Sequence, residues 1–301
     1  MADASDTVEV TREAIVAGLR SVGLSAGDGA MVHSSLKSFG RVRPSDAGPG
    51  GAAGAAMTVI EALMEVITPA GTLLLPSFNH GKVYGPDGAG WFDPDETPTT
   101  NGIIPETFRR LDGVRRSIHP THAFAAWGAK AAEYTQGHHR TLTCGADSPL
   151  GRLWRDGGYG LLLGVGYGAN TFHHVVETTT GAPCLGRRTV ALPMRLGRRI
   201  VEGRTWSWRD GGCPITDATR YADVIAARGL QRETTIGACR AILFRLQDAW
   251  EVIAELLRDG LGDLPPCARC PVRPRVTERT VESDWDEKRG CLKPDSPAWG
   301  Y

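Results

Sequence analysis

His174 and Glu177 stand three residues apart, directly after the run LLLGVGYGANTF at 161–172. Residues i and i+3 share a helix face, so a helix here would bring an imidazole against a carboxylate. His173 lies at i−4 from Glu177 and is also within reach. A carboxylate beside a histidine fixes the tautomer and stabilises the imidazolium, which is how a general base is built. On a solvated helix the same pair would be an ion pair contributing about 0.2–0.5 kcal/mol. The preceding apolar run and its glycines favour a site. In α/β sheets ligands bind where strands end and helices begin, and a helix N-terminus offers unpaired N–H groups.

Two further segments carry donors. In MVHSSLKSFGRV (31–42) a short strand reads into His33-Ser34-Ser35, whose hydroxyls and amides suit a phosphate or an acyl carbonyl. In RRSIHPTHAFAAWG (115–128) Arg116 and Ser117 are donors suited to phosphate or amide groups, and His119 is held extended by Pro120. Taken singly, these also read as a polar turn and solvated cations. Gly164, Gly166 and Ala169 also satisfy G-x-G-x-x-A, with Arg187 and Arg188 further on, which is the pattern of an NADP-binding oxidoreductase. That fingerprint normally opens its domain, whereas here it lies past the middle of the chain.

The seven cysteines (144, 184, 213, 239, 267, 270 and 291) are odd in number and scattered, which predicts reduced thiols and not a disulfide framework. Cys267 and Cys270 have the spacing of a zinc half-site. Cys291 and Cys213 are the available completing ligands, but a second C-x2-C is missing. The metal content is left open by the sequence, and such a zinc would be structural.

The elements that must position these groups follow from periodicity. Ile15, Val16, Leu19 and Val22 predict a helix over 11–22 with Thr11 as N-cap. Strands are expected at 30–33, 72–75 (ended by Pro76), 121–127, 160–165 and around 234–244. Helices are expected after the Gly/Ala loop at 48–54, and at 102–111, 129–134, 171 onward, 217–228 and 246–257. Another starts at Ser148-Pro149, with Ser as N-cap and Pro at N1. The segment 187–209, with seven arginines and one acid, reads as a hairpin around Gly197-Arg198 and offers charge to an anionic ligand. The polar loop 77–100 is long enough to be functional. Alternation of strand and helix predicts an α/β fold: a central, mostly parallel sheet with flanking helices and an added β-hairpin region. The domain is expected to span 1–262, followed by a Cys/Pro-containing tail at 263–301.

Charge and hydropathy exclude other classes. Lys+Arg and Asp+Glu are both 34, so net charge is zero and no nucleic-acid or membrane-surface partner is expected. No run reaches about 18 apolar residues, and 1–13 lacks a signal-peptide pattern, so a soluble cytoplasmic protein is expected. Glycine is abundant, 38 of 301, against about 7% in average usage. Without a repeat, these glycines belong at tight turns and close approaches.

Six pieces in order carry a resemblance over about residues 8–260. They are V-H-S-S-L (32–36), G-T-L-L-L-P (71–76), T-P-T-x-N-G (97–102), R-S-I-H-P-T-H-A (116–123), S-P-L-x-R-L (148–153) and L-L-G-V-G-x-x-x-N-T-x-x-H-x-x-E (162–177). Together they resemble the aminoglycoside 3-N-acetyltransferase family, an acetyl-CoA-dependent group with its own α/β fold. The resemblance implies acetyl transfer to an amine of an aminoglycoside or similar amino sugar, in resistance or in biosynthesis. It implies His174 as general base, oriented by Glu177. It places acetyl-CoA, the cosubstrate, against His33, Ser34, Ser35 and Leu36 and against Arg116 and Ser117. Strand-end amides near 34–36 would hold the developing oxyanion. Asp93, Asp95 and Glu96 would either supply an acidic pocket for the amine or form a solvated loop. A non-catalytic, ligand-binding relative is the alternative within the same fold, against which the His–Glu pair argues.

Overall fold

The computed structural model describes residues 9–46, 50–182, 189–204, 212–272, 281–282, 285–286 and 291–292. The strands are β1 (Gly29–Ser34), β2 (Thr72–Phe78), β3 (Arg115–Arg116), β4 (His122–Gly128), β5 (Tyr159–Leu163), the hairpin β6 (Thr189–Leu196) and β7 (Arg199–Arg204), β8 (Gln231–Ile236) and β9 (Cys239–Arg245). The helices are α1 (Arg12–Ser21), α2 (Gly51–Ile67), α3 (Ile103–Phe108), α4 (Ala131–Thr135), α5 (Pro149–Arg155), α6 (Phe172–Thr180), α7 (Tyr221–Ala227) and α8 (Leu246–Asp259).

Seven strands form the central sheet, in the order β3-β4-β2-β1-β5-β9-β8. β3, β2, β1, β5 and β8 run one way and β4 and β9 the other, so strand direction is mostly parallel, as expected. Parallel ladders occur only at the centre, β2–β1–β5, and the outer pairings are antiparallel. Side chains alternate across the sheet with the period of a strand. Ala30, Val32, Leu73, Leu75, Leu161 and Leu163 pack with α1, α2 and α3. Met31, Leu74, Phe124, Leu162, Ile242 and Phe244 pack with α5 to α8 on the other face. Burial on both faces explains why the central strands read as apolar runs.

Local signals set several boundaries. Thr11 Oγ1 accepts from the Ala14 amide at 3.3 Å and starts α1. Ser148 Oγ accepts from the Gly151 amide at 3.1 Å and starts α5, with Pro149 at N1.

Three expectations need correction. The Gly/Ala loop is helical from Gly51, because Ala55, Ala56 and Val59 bury against the sheet and outweigh glycine's poor propensity. The single strand near 234–244 is a hairpin turning at Gly237, whose φ is +60°. β2 does not stop at Pro76 but runs on to Phe78. The β1–β2 ladder covers only Gly29–Met31 and Thr72–Leu74, while β4 pairs with all of β2. Past Leu74, therefore, β2 is an edge towards β1, where a missing proline N–H costs nothing. β1 and β2 part at this point, and a cavity opens between their ends.

The long polar loop is tied down on the hairpin. The Phe92 amide donates to Pro193 O at 3.1 Å and the Arg195 amide to Phe92 O at 2.7 Å. Tyr84, Phe92, Leu192 and Met194 form a small core of their own. Gly197 turns the hairpin with φ +60°, at the expected position. Beyond α8, the backbone of a two-residue strand, Val281–Glu282, pairs with β6. Among the described residues no helix is long and apolar enough to cross a membrane.

Candidate active site

α6 forms because Phe172, Val175 and Val176 fall on one apolar face, and it ends at Gly181 in the left-handed conformation (φ +67°). Asn170 Oδ1 accepts from the Phe172 amide at 3.2 Å and steers the chain into the helix. The i, i+3 spacing then puts His174 Nδ1 3.1 Å from Glu177 Oε2. Glu177 is 1% exposed, and its other oxygen, Oε1, accepts from the Thr216 hydroxyl. An ionised carboxylate can only accept, so Nδ1 carries the proton and the lone pair sits on Nε2. That is the tautomer a general base needs.

His174 lines a cavity of about 280 Å³ at the ends of β1, β2 and β4. Its other walls include His33 and Ser34 from β1, Pro76 and Phe78 from β2, His122 from β4, and Thr143, Cys144 and His173. Among the described lining residues there is no Asp, Glu, Lys or Arg. Five histidines face this space instead. His33 Nε2 accepts from the Thr171 amide at 3.3 Å, which puts its proton on Nδ1, and burial brings its pKa down to about 4. Burial, with the neighbouring His80 and His174, holds His122 well below the usual histidine range. Burial and then the Lys82 charge lower His80, whose Nδ1 meets the Thr100 hydroxyl. Burial, followed by the charge of Glu177, raises the Cys144 thiol, which stays protonated. Desolvation therefore keeps these three imidazoles and this thiol uncharged at neutral pH.

The expected site residues divide. His174 and Glu177 meet, and His33 and Ser34 share their cavity. Ser34 Oγ is buried and makes no hydrogen bond among the described residues. Ser35 and Leu36 are not among the lining residues. The Ser35 amide donates to Leu163 O at 2.9 Å, and Leu36 opens a 3-10 turn (Leu36–Phe39) with its side chain against the core. The Ser35 N–H is therefore committed to the sheet and is not an oxyanion donor.

Arg116 and Ser117 are brought to neither side of this cavity. Arg116 donates to Pro94 O at 3.0 Å, Thr97 O and Ser77 O at 2.8 Å, and its guanidinium stacks 5.0 Å from the Phe92 ring centre. Ser117 is fully buried: its Oγ accepts from the Phe124 amide at 2.8 Å and meets His138 Nδ1 at 2.9 Å. His119 accepts from the His122 amide through Nδ1 at 3.0 Å and stacks on His138, ring centres 4.5 Å apart. These groups build the loop junction beneath the site.

Asp93 takes the amides of Asp95 and Glu96 and the Arg195 guanidinium at 2.7 Å, so it organises its loop. A second cavity, of about 510 Å³, has Asp87, Asp93 and Glu96 on its walls, alongside Lys82, Trp91 and Arg195. Arg187, Arg188 and Arg209 of the basic segment lie outside the described residues, as does the side chain of Cys291. Among the described residues no cluster of three metal-ligating side chains occurs.

The dinucleotide reading fails on topology. A β-α-β unit needs the strand after the helix to return parallel to the first. Here α6 leads away to the β6–β7 hairpin, and β5 is flanked by the antiparallel β9. Gly166 and Gly168 lie in and before a 3-10 turn, Tyr167–Ala169, ahead of the helix.

Residues 31–258 match the family described as aminoglycoside 3-N-acetyltransferase, which is far more than half of the chain. The chain belongs to that family, a family of acyltransferases. It is 32% identical over 285 residues to aminoglycoside N(3)-acetyltransferase VII of Streptomyces paromomycinus, covering 84% of this chain and 93% of that protein. It is 35% identical over 191 residues to the SPbeta prophage-derived aminoglycoside N(3')-acetyltransferase-like protein YokD of Bacillus subtilis (strain 168). That match covers 58% of this chain and 66% of the relative. Among solved structures, AAC-IIIb in a binary complex with CoASH superposes with a TM-score of 0.69 at 26% identity, covering 86% of this chain and all of the other. The expected family and fold class are thereby borne out.

Sequence reasoning did not find His122, Thr143, Cys144 or Thr216 as neighbours of the site. His122 stood inside a quoted motif, and its placement one residue after an expected strand start was the available signal. The other three arrive from loops with no local pattern.

Proposed function

We propose that this family member transfers the acetyl group of acetyl-CoA to an amine of an aminoglycoside or a related amino sugar. The observation that carries this reading is the His174–Glu177 pair, with its lone pair on Nε2, at a cavity where two parallel strands end. The structural relative AAC-IIIb, solved as a binary complex with CoASH, supports the choice of donor.

Acetyl-CoA brings a thioester, an acyl group on a good leaving group. An alkylamine is mostly protonated at neutral pH, and only its neutral form has a lone pair to attack. A cavity walled by neutral imidazoles favours that form over the ammonium. As the nitrogen attacks the carbonyl carbon, His174 Nε2 takes an N–H proton. The N–C bond forms, the C–S bond breaks, and the imidazolium returns the proton to the departing thiolate. Glu177 stabilises the imidazolium in between. The hydroxyl of Ser34, buried and without a hydrogen-bond partner among the described residues, is the cavity donor for charge building on the carbonyl oxygen. In this reading Ser34 replaces the strand-end amides, since the Ser35 N–H is committed to Leu163.

The test is CoA thiol release from acetyl-CoA across a panel of amines that includes several aminoglycosides, with the site of acetylation determined for each product. For an accepted amine, His174→Ala lowers kcat at least about 100-fold while acetyl-CoA still binds. An unchanged rate overturns the base assignment. Acetyl-CoA binding without turnover on any amine overturns the reading in favour of a non-catalytic relative.

A further inference from the structure

We infer that Thr216 is a positioning residue for this reaction, acting on His174 through Glu177. The inference rests on the acetyl-transfer reading above.

Each carboxylate oxygen of the buried Glu177 has a partner among the described residues. Oε2 faces His174 Nδ1 at 3.1 Å, and Oε1 takes the hydroxyl of Thr216, itself fully buried. Each donor to a buried carboxylate favours its charged form, so losing one shifts the group towards the neutral acid. A neutral Glu177 would no longer fix the Nδ1–H tautomer or stabilise the imidazolium. The Thr216 hydroxyl holds one proton. Its second neighbour, Asp217 Oδ1, is 3.5 Å away, so that proton goes to Glu177.

Among the described residues, other titratable groups stand near Glu177. Burial, and then the charge of Glu177, keeps the Cys144 thiol protonated. Burial also raises Tyr221, whose hydroxyl faces Asn170, His173 and Tyr167 O. Asp217 is a carboxylate 3.9 Å from His173 Nε2. On α6 itself, the hydroxyls of Thr178, Thr179 and Thr180 donate to the carbonyls of His174, Val175 and Val176, each at 2.7–2.8 Å.

Thr216 is held in place by its own turn. The Cys213 amide donates to Asp217 Oδ2 at 2.7 Å, the Asp217 amide to Cys213 O at 3.1 Å, and the Arg220 amide to Ile215 O at 3.0 Å. Cys213 and Ile215, which precede it in the chain, are buried as well. A hydroxyl fixed this way sets the rotamer of Glu177, and through it the ring of His174.

Thr216→Val keeps the shape and deletes the donor, and Thr216→Ser keeps the donor. With an amine accepted by the wild type, T216V should lower kcat about 10- to 100-fold, the factor for one hydrogen bond to a charged group. The KM for acetyl-CoA should stay within about twofold, and T216S should recover most of the rate. The acidic limb of the kcat/KM profile should move to lower pH, as should the His174 imidazole midpoint followed by NMR in the free protein. In Glu177→Gln the carboxylate is gone, so adding T216V should cost little more.

A wild-type kcat and acidic limb in T216V overturn the inference. So does T216S as slow as T216V, or additive losses with Glu177→Gln. If T216V does not fold, the comparison of Thr216→Ser with Thr216→Ala decides by the same readouts. A wild type that acetylates no amine refutes the functional reading. An active wild type with an indifferent T216V refutes only the role of Thr216, and the NMR midpoint tests the coupling without any substrate.

Discussion

Arg116 was expected to meet a phosphate, and its surroundings give it another task. Three carbonyls, of Ser77, Pro94 and Thr97, share its guanidinium, and burial, followed by the nearby Arg109 charge, pulls its pKa down to about 9. It is the pin between β2 and the 93–100 loop. Arg116→Ala would leave those carbonyls without their donor and remove the cover from Phe92. We expect the unfolding free energy in urea to fall by roughly 3 kcal/mol or more, with the KM for acetyl-CoA changed less than about twofold. A raised KM at wild-type stability would return Arg116 to the ligand. The contrast with His174 explains what could be read in advance. His174 and Glu177 sit on one helix, so spacing alone brings them together. The partners of Arg116, like Thr216, come from distant segments, and residue type does not tell a donor for a ligand from a donor for a carbonyl.

At the scale of elements, the junction after β5 decides whether α6, the helix that carries His174 and Glu177, starts in the right place. Gly164 has φ +66°, and a Cβ there would lie 1.5 Å from Ser38 Oγ. Ser38 in turn donates to Ser35 O at 2.7 Å and shapes the turn that follows His33 and Ser34. Gly164→Ala should therefore cost about 2 kcal/mol or more and slow turnover, because both the backbone strain and the contact push on that turn. Gly166 and Gly168 have nothing within 4 Å of such a Cβ and ordinary φ, so alanine at either should change stability by less than about 0.5 kcal/mol. Equal effects at all three, in thermal melts and kcat, would refute this. The same junction shows why some boundaries were legible and others not. Ser148-Pro149 and Thr11 announce helix starts by hydrogen bonds within three residues. The persistence of β2 through Pro76 depends on which neighbour it lacks, and the helicity of Gly51–Gly54 depends on what Ala55 and Ala56 bury against. Neither is a local property.

For the whole molecule, the burial of uncharged imidazoles ties stability to pH. Burial holds His33 at about 4 and His138 at about 3, and His119 and His122 well below the usual range. In the unfolded chain each would titrate near 6.5. Between those values the unfolded state binds more protons than the folded state, so stability rises with pH there. The contribution is fully present above about pH 6.5 and is lost as pH falls to about 4, where His33 charges in the folded state. For His33 alone the loss is roughly 3 kcal/mol across that window. Carboxylates such as Glu106 act later. Burial pushes Glu106 up, but Arg109, the Thr99 amide and Arg110 outweigh it and hold it at about 2, so its contribution fades only below about pH 4.5. Urea unfolding at pH 7, 5.5 and 4 separates the two windows. We expect a marked loss already between pH 6.5 and 4, and a shallower slope in that interval for His33→Asn. A stability that stays flat down to pH 4.5 would mean that the imidazoles lining and underlying the cavity are solvated. The imidazoles would then begin to charge near pH 6.5, and burial would not be what keeps the cavity uncharged.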